Sequence, residues 1–231
     1  MLRDGQDHGV PTLIGFTAEE GLLYTRRFSK SPAFLARFMA DWGTCGPVNF
    51  LGLEGWEVTQ EHRDQVDTLR AAYPAGTEGL TDMFTDAVFA ASSHQVARLL
   101  TSNNRTVYKY LFTYRGSTSL ADLAFSSLWS TTTTLLRGLL RISWGPSLGA
   151  AHGEELIYLF QLTPFLDLLP SPADQQVSRS MTSWWATFAK GGRPDPEWEP
   201  AVEGGDYSYW VVDTRPGMEE RKELERLEQW L

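Results

Sequence analysis

In Gly149-Ala150-Ala151-His152-Gly153-Glu154-Glu155, a titratable ring sits among small residues, and the apolar run Leu156-Ile157-Tyr158-Leu159-Phe160 follows at once. Small residues let the backbone turn tightly and leave the imidazole clear of neighbours, while the apolar run must be buried and so anchors the turn. A histidine placed this way suits a general base. The same pattern also fits a helix N-terminus whose two carboxylates favour its dipole, with the histidine incidental. A second group with chemical potential is Glu19-Glu20-Gly21, directly after the short apolar run Pro11-Thr12-Leu13-Ile14-Gly15-Phe16-Thr17. A carboxylate at the end of a buried strand is where an open α/β sheet places functional groups. On local sequence alone, two acids there fit the opening turn of a helix better.

These residues need elements to hold them. The run from Pro11 to Thr17 reads as a buried strand. The stretch from Arg105 to Tyr114, rich in aromatic and β-branched residues, is the clearest strand in the chain. Tyr207 to Val212 forms a third. Ser31-Pro32 opens a helix through about Trp42, and a Gly/Pro-containing loop is expected from Gly43 to Gly55. Thr59 starts a charged helix from Gln60 to Tyr73, stopped by Pro74, in which His62 reads as a solvated surface residue. A longer helical pattern runs from Thr81 to Thr101, with His94 in its core or at its rim. Ser117 to Trp144 reads as an ordered excursion or lid. Asp174 begins a helix whose Val177, Met181, Trp184, Trp185 and Phe188 face a core, ending at Gly191-Gly192. Met218 to Leu231 is expected to be a charged helix with Leu224, Leu227 and Trp230 on one face. Strands alternating with helices indicate an α/β protein. Three strands are few for such a sheet, where about 5–6 is usual. That shortage points to an incomplete sheet.

Composition narrows the partners. The 231 residues are 42% hydrophobic and 21% charged, a globular balance, and suffice for one sizeable core. The net charge of -9 argues against nucleic acid and anionic lipid. No apolar stretch is long enough to span a bilayer, and the polar N-terminal octamer has no signal-peptide core. Cys45 is the single cysteine, so no intrachain disulfide forms, and no ligand cluster suggests a metal or cofactor. Asn104-Arg105-Thr106 is a glycosylation sequon, relevant if the chain is secreted.

Several segments together resemble the C-terminal part of the type-B carboxylesterase family, the carboxylesterase/cholinesterase group of α/β-hydrolases, and Tyr110 to Ser117 with the excursion after it loosely resembles the arthropod-type members. Leu13 to Gly21 is similar to that family's strand ending in an acid-Glu-Gly motif, and Gly149 to Phe160 to its histidine motif. Phe188-Ala189-Lys190-Gly191-Gly192-Arg193-Pro194-Asp195-Pro196, with Trp198 and Pro200, resembles its late helix and loop. Tyr209 to Asp213 and Glu225 to Trp230 resemble its closing strand and helix. The segments occur in family order over nearly the whole chain. The resemblance implies the C-terminal part of an α/β-hydrolase fold, an incomplete sheet with packed helices. It also implies a carboxylic ester as substrate, and a secreted or endoplasmic-reticulum setting.

Carried over residue by residue, the family's triad acid falls on Glu20 and its general base on His152, with Glu19 the neighbouring alternative acid. In α/β-hydrolases the chain order is serine, acid, histidine, with the serine on a G-x-S-x-G elbow. An acid at position 20 leaves no room before it for that elbow. The expectation is therefore a partial domain over residues 1–231 with acid and base but no nucleophile, inactive by itself and prone to aggregate through its unpaired sheet edge. Gly145-Pro146-Ser147-Leu148-Gly149 matches the elbow literally, but Ser147 follows the acid and stands five positions before His152. It is read as a chance match. Phe125 and Trp129 could line a gorge or simply pack. The alternative to an esterase is a cholinesterase-like adhesion protein without a working triad. Retention of both Glu20 and His152 weighs against it.

Overall fold

A computed structural model describes residues 8–117, 119, 149–160, 169, 171–203 and 207–231. Four strands form one sheet in the order β1 (Thr12–Thr17), β2 (Val107–Phe112), β3 (Ser208–Val212), β4 (Gly217–Glu220). The first three are parallel neighbours, and β4 returns antiparallel along β3. Between β1 and β2 run α1 (Leu22–Lys30), α2 (Pro32–Ala40), α3 (Trp42–Phe50), α4 (Gln60–Ala71) and α5 (Gly76–Thr85). A π-helical turn (Asp86–Ala90) and α6 (Ala91–Ser102) complete that crossover. After β2 come the short α7 (Leu156–Leu159) and the long α8 (Pro172–Gly191), and a 3-10 helix (Lys222–Trp230) follows β4.

Both faces of the sheet are covered, which explains why its strands read as nearly continuous apolar runs. Tyr108, Phe112, Trp210 and Val212 pack with Val177, Met181 and Trp184 of α8. Trp198 is completely buried there and stacks on Trp210 with ring centroids 5.1 Å apart. On the other face, Phe16, Leu111 and Tyr209 meet Ala90, Ala91, Leu224 and Leu227. A separate cluster, including Phe28, Phe50, Val66, Leu80 and Phe84, holds α1 to α5 together. α8 starts on a capping box in which Ser171 Oγ accepts the Asp174 N–H at 3.0 Å and Asp174 Oδ2 accepts the Ser171 N–H at 3.1 Å.

The three strands and the α/β class expected from sequence are present, and three expectations need correction. The segment from Gly43 to Gly55 is helical as far as Phe50, despite Pro47 inside α3. A proline leaves the carbonyl four residues earlier without its helical partner. That carbonyl, Gly43 O, accepts from Arg63 Nε of α4 at 3.1 Å instead. The expected C-terminal helix is a strand followed by a 3-10 helix: edge pairing with β3 (Tyr209 opposite Glu219, Val211 opposite Gly217) captures residues 217–220. Leu224, Leu227 and Trp230 recur every three residues, the period of a 3-10 helix. The helix expected to open at Thr81 begins at Gly76, and its pattern passes through the π turn into α6. The excursion after Ser117, with Phe125 and Trp129, lies outside the described residues apart from Ser119.

Candidate active site

β1 and β2 are parallel, so the chain leaves both at the same end of the sheet, and the candidate site is built there. As β1 ends, Ala18 donates its N–H to Phe112 O at 2.9 Å, and the backbone then turns through Glu19 and Glu20 into α1. Glu20 is only 4% exposed. Its Oε1 accepts the Thr17 N–H at 2.7 Å, which fixes the carboxylate within its own turn. The adjoining Gly21 donates its N–H to Thr85 Oγ1 of α5 at 3.0 Å. The acid is thus held from strand and helix at once.

The histidine segment reaches the same place from 132 positions further along the chain. Ala150 and Ala151 are fully buried, and Ala151 forms an isolated parallel bridge with Glu19. His152 Nδ1 lies 2.6 Å from Glu20 Oε2. One face of the imidazole rests near Phe89 of the π turn, with ring centroids 4.8 Å apart, while half of the side chain (51%) remains exposed. Gly153 then takes a left-handed φ of 76° and turns the chain into α7. There Ile157 and Tyr158 sink into the core beside α8. The arrangement is a buried carboxylate on one ring nitrogen and an accessible imidazole on the other side.

Neighbouring charges are arranged around this pair. Burial pushes Glu155 above the ordinary carboxylate range, aided by the charge on Glu20 and opposed by its own backbone hydrogen bond and by His152. Burial also raises the Tyr110 hydroxyl, reinforced by Glu155 and Glu20. Among the described residues, no group of three or more His, Cys, Asp or Glu side chains could hold a metal ion.

A profile of the carboxylesterase family matches residues 1–230. The chain belongs to the carboxylesterase family. It is 27% identical over 205 residues to the juvenile hormone esterase of Tribolium castaneum, covering 84% of this chain and 33% of that protein. It is 21% identical over 212 residues to a carboxylic ester hydrolase of Bombus ignitus, covering 86% and 34% respectively. To the acetylcholinesterase of Bungarus fasciatus it is 29% identical over 135 residues, 58% of this chain and 18% of that protein. The chain therefore spans about a third or less of the length of these relatives. The crystal structure of juvenile hormone esterase from Manduca sexta, with OTFP covalently attached, superposes with a TM-score of 0.63 at 20% identity, covering 94% of this chain and 40% of that one. A PNB esterase gives 0.60 at 20% identity, covering 100% of this chain and 40% of that one. These likenesses establish the fold: the four-stranded sheet and its helices are part of an α/β-hydrolase fold.

Within this carboxylesterase-family chain, the two residues singled out from sequence, Glu20 and His152, are brought into contact. Glu19 is not on the imidazole: its carboxylate takes the Ala150 N–H and the Arg115 guanidinium. His62 is half-buried and completes the cap of α4, its Nδ1 accepting the Thr59 N–H at 3.2 Å. His94 is buried, stacked on Tyr207 at 4.7 Å with Nδ1 3.3 Å from Tyr209 Oη. Ser147 lies outside the described residues. Sequence reasoning missed Phe89 and Arg115. Phe89 carries no local signal, because its contact with His152 exists only once the helix packs on the sheet. Arg115 stands three residues beyond the end of β2, and its place near a strand's C-terminal end was the available clue.

Proposed function

We propose that residues 1–231 are the C-terminal portion of a serine carboxylesterase domain, supplying the acid and base of its Ser-Glu-His triad. The observation that carries this reading is the 2.6 Å contact between His152 Nδ1 and the buried Glu20 Oε2. In the proposed reaction His152 takes the proton of a serine hydroxyl on Nε2 as that oxygen attacks the ester carbonyl. It then returns the proton to the departing alcohol. Glu20 keeps the Nδ1–H tautomer and balances the imidazolium that forms. Water repeats the sequence on the acyl-enzyme and releases the acid. The nucleophile and the donors that stabilise the oxyanion would come from chain outside these residues, and the substrate is a carboxylic ester.

The test is expression of the 231 residues alone and joined to an upstream family segment bearing a G-x-S-x-G elbow, each assayed on an activated aryl ester. The joined protein is expected to hydrolyse the ester and to lose turnover in His152→Ala and Glu20→Ala. The 231-residue chain is expected to be inert. Turnover by that chain alone, abolished by Ser147→Ala, would overturn the proposal.

A further inference from the structure

We infer that Glu19 is a positioning residue that sets the place of His152 through the backbone of the histidine segment, an inference that rests on Glu20 and His152 being acid and base. Four contacts carry it. The Glu19 N–H donates to Ala150 O at 2.9 Å, and Glu19 bridges Ala151. Glu19 Oε2 accepts the Ala150 N–H, and Oε1 takes the Arg115 guanidinium. Three pieces of chain are thereby joined by one residue: the turn after β1, the exit of β2, and the segment ending in His152.

The residue types fit this task. Ala150 is completely buried, so without the Glu19 carboxylate its N–H would lose that acceptor where water cannot readily replace it. A carboxylate satisfies that donor and a cation with separate oxygens, whereas an amide has a single acceptor. Gly149 admits it: a Cβ there would stand 2.6 Å from Glu19 Oε2. With Ala150 and Ala151 fixed, the Cα of His152 is fixed one residue later. Misplacement of a catalytic group by about 1 Å can cost about 10²-fold in rate. Glu19 thus explains why two acids precede Gly21: the second holds the ring and the first holds the ring's backbone.

The experiment uses proton and nitrogen NMR on the 231-residue chain. The hydrogen-bonded Nδ1–H resonance of His152 is assigned by its loss in His152→Gln. It is expected to broaden and vanish in Glu19→Ala, with circular dichroism and tryptophan fluorescence unchanged. It is expected to survive, weakened, in Glu19→Gln, which keeps one acceptor for Ala150. A resonance as sharp in Glu19→Ala as in the parent overturns the inference. Glu20→Gln is the control for the underlying reading: if the resonance is absent from the parent, or persists in Glu20→Gln, the acid–base pair itself fails. Should Glu19→Ala not fold, Glu19→Gln and Arg115→Met decide, and an undisturbed resonance in both refutes the positioning role.

Discussion

Replacing Glu20 by glutamine tests the acid's role in a way that alanine cannot. The change preserves shape and removes charge. Glu20 uses one oxygen for the Thr17 N–H at 2.7 Å and the other for His152 Nδ1 at 2.6 Å. An amide has one acceptor oxygen, and the turn claims it, because Thr17 is fully buried and its N–H must keep an acceptor. The NH2 group then faces His152 Nδ1, two donors cannot meet, and the ring must switch to the tautomer protonated on Nε2. That tautomer has no lone pair for a serine proton. Holding a triad histidine in the wrong tautomer costs about 10⁴-fold in turnover, on the order of 5 kcal/mol of barrier at about 1.36 kcal/mol per decade. In the chain joined to its nucleophile segment, Glu20→Gln is expected to lower kcat by that factor with little change in KM. Nitrogen chemical shifts of His152 in the 231-residue chain should report the tautomer switch directly. An unchanged tautomer, or a kcat reduced less than about tenfold, would refute the reasoning.

Four other outcomes follow from the packing and charge of the fold. Asp174 is completely buried, and although burial alone would raise its pKa, hydrogen bonds from Ser171 and Ser117 hold it below the usual value. Its stabilising contribution is complete above the unfolded value of about 3.9 and disappears as pH falls through the lower folded value. Asp174→Asn should therefore flatten the acid limb of a plot of melting temperature against pH. Trp198→Ala removes the fully buried ring stacked on Trp210 and is expected to cost about 3–5 kcal/mol by urea denaturation. Arg226→Met strands the buried Asp86, which keeps Tyr73 Oη at 2.8 Å but loses its counter-charge, and should cost about 3–5 kcal/mol; the double variant Asp86→Asn/Arg226→Met should be milder. β1 stands at the margin of the described sheet, so the purified chain is expected to self-associate, and sedimentation showing a single monomeric species across concentrations would contradict this.

Which parts of this fold were legible in sequence depends on where their cause lies. β2 was legible because Val107, Tyr108, Leu111 and Phe112 are buried between two helical layers, so the strand carries apolar residues on both faces, with Lys109 the charged exception. α8 was legible because its apolar positions from Val177 to Phe188 share one face and Gly191-Gly192 stop it, although the Ser171 capping box starts it at Pro172, two residues before the expected Asp174. α3 was not: its local composition, with Gly43, Gly46 and Pro47, disfavours a helix, and the compensation comes from Arg63 on another element. β4 is likewise made by its partner, since nothing in Gly217-Met218-Glu219-Glu220 prefers a strand until the edge of β3 is there to pair with. The site divides in the same way. Glu20 and His152 stand beside glycines in patterned segments, while Phe89 reaches His152 through packing that no local pattern encodes and Arg115 acts through its ion pair with Glu19.

The topology explains how Glu20 and His152, the proposed acid and base, are brought together. Parallel pairing of β1 with β2 brings the turn after Thr17 beside the exit of Phe112, whose carbonyl receives Ala18. The bridge from Glu19 to Ala151 then adds one more parallel pairing, outside the named strands. Backbone hydrogen bonding thus places His152 within reach of Glu20. α7 and α8 keep it there, because Tyr158 packs at 5.4 Å from Phe112 of β2 and its carbonyl accepts from Ser178 Oγ at 2.8 Å. The contact between the two side chains is thus set up by strand register and the segments attached to it. It follows that mutations at the alanines, at Gly149 or at Glu19 should misplace His152 as effectively as changes at Glu20, while leaving every reacting group intact.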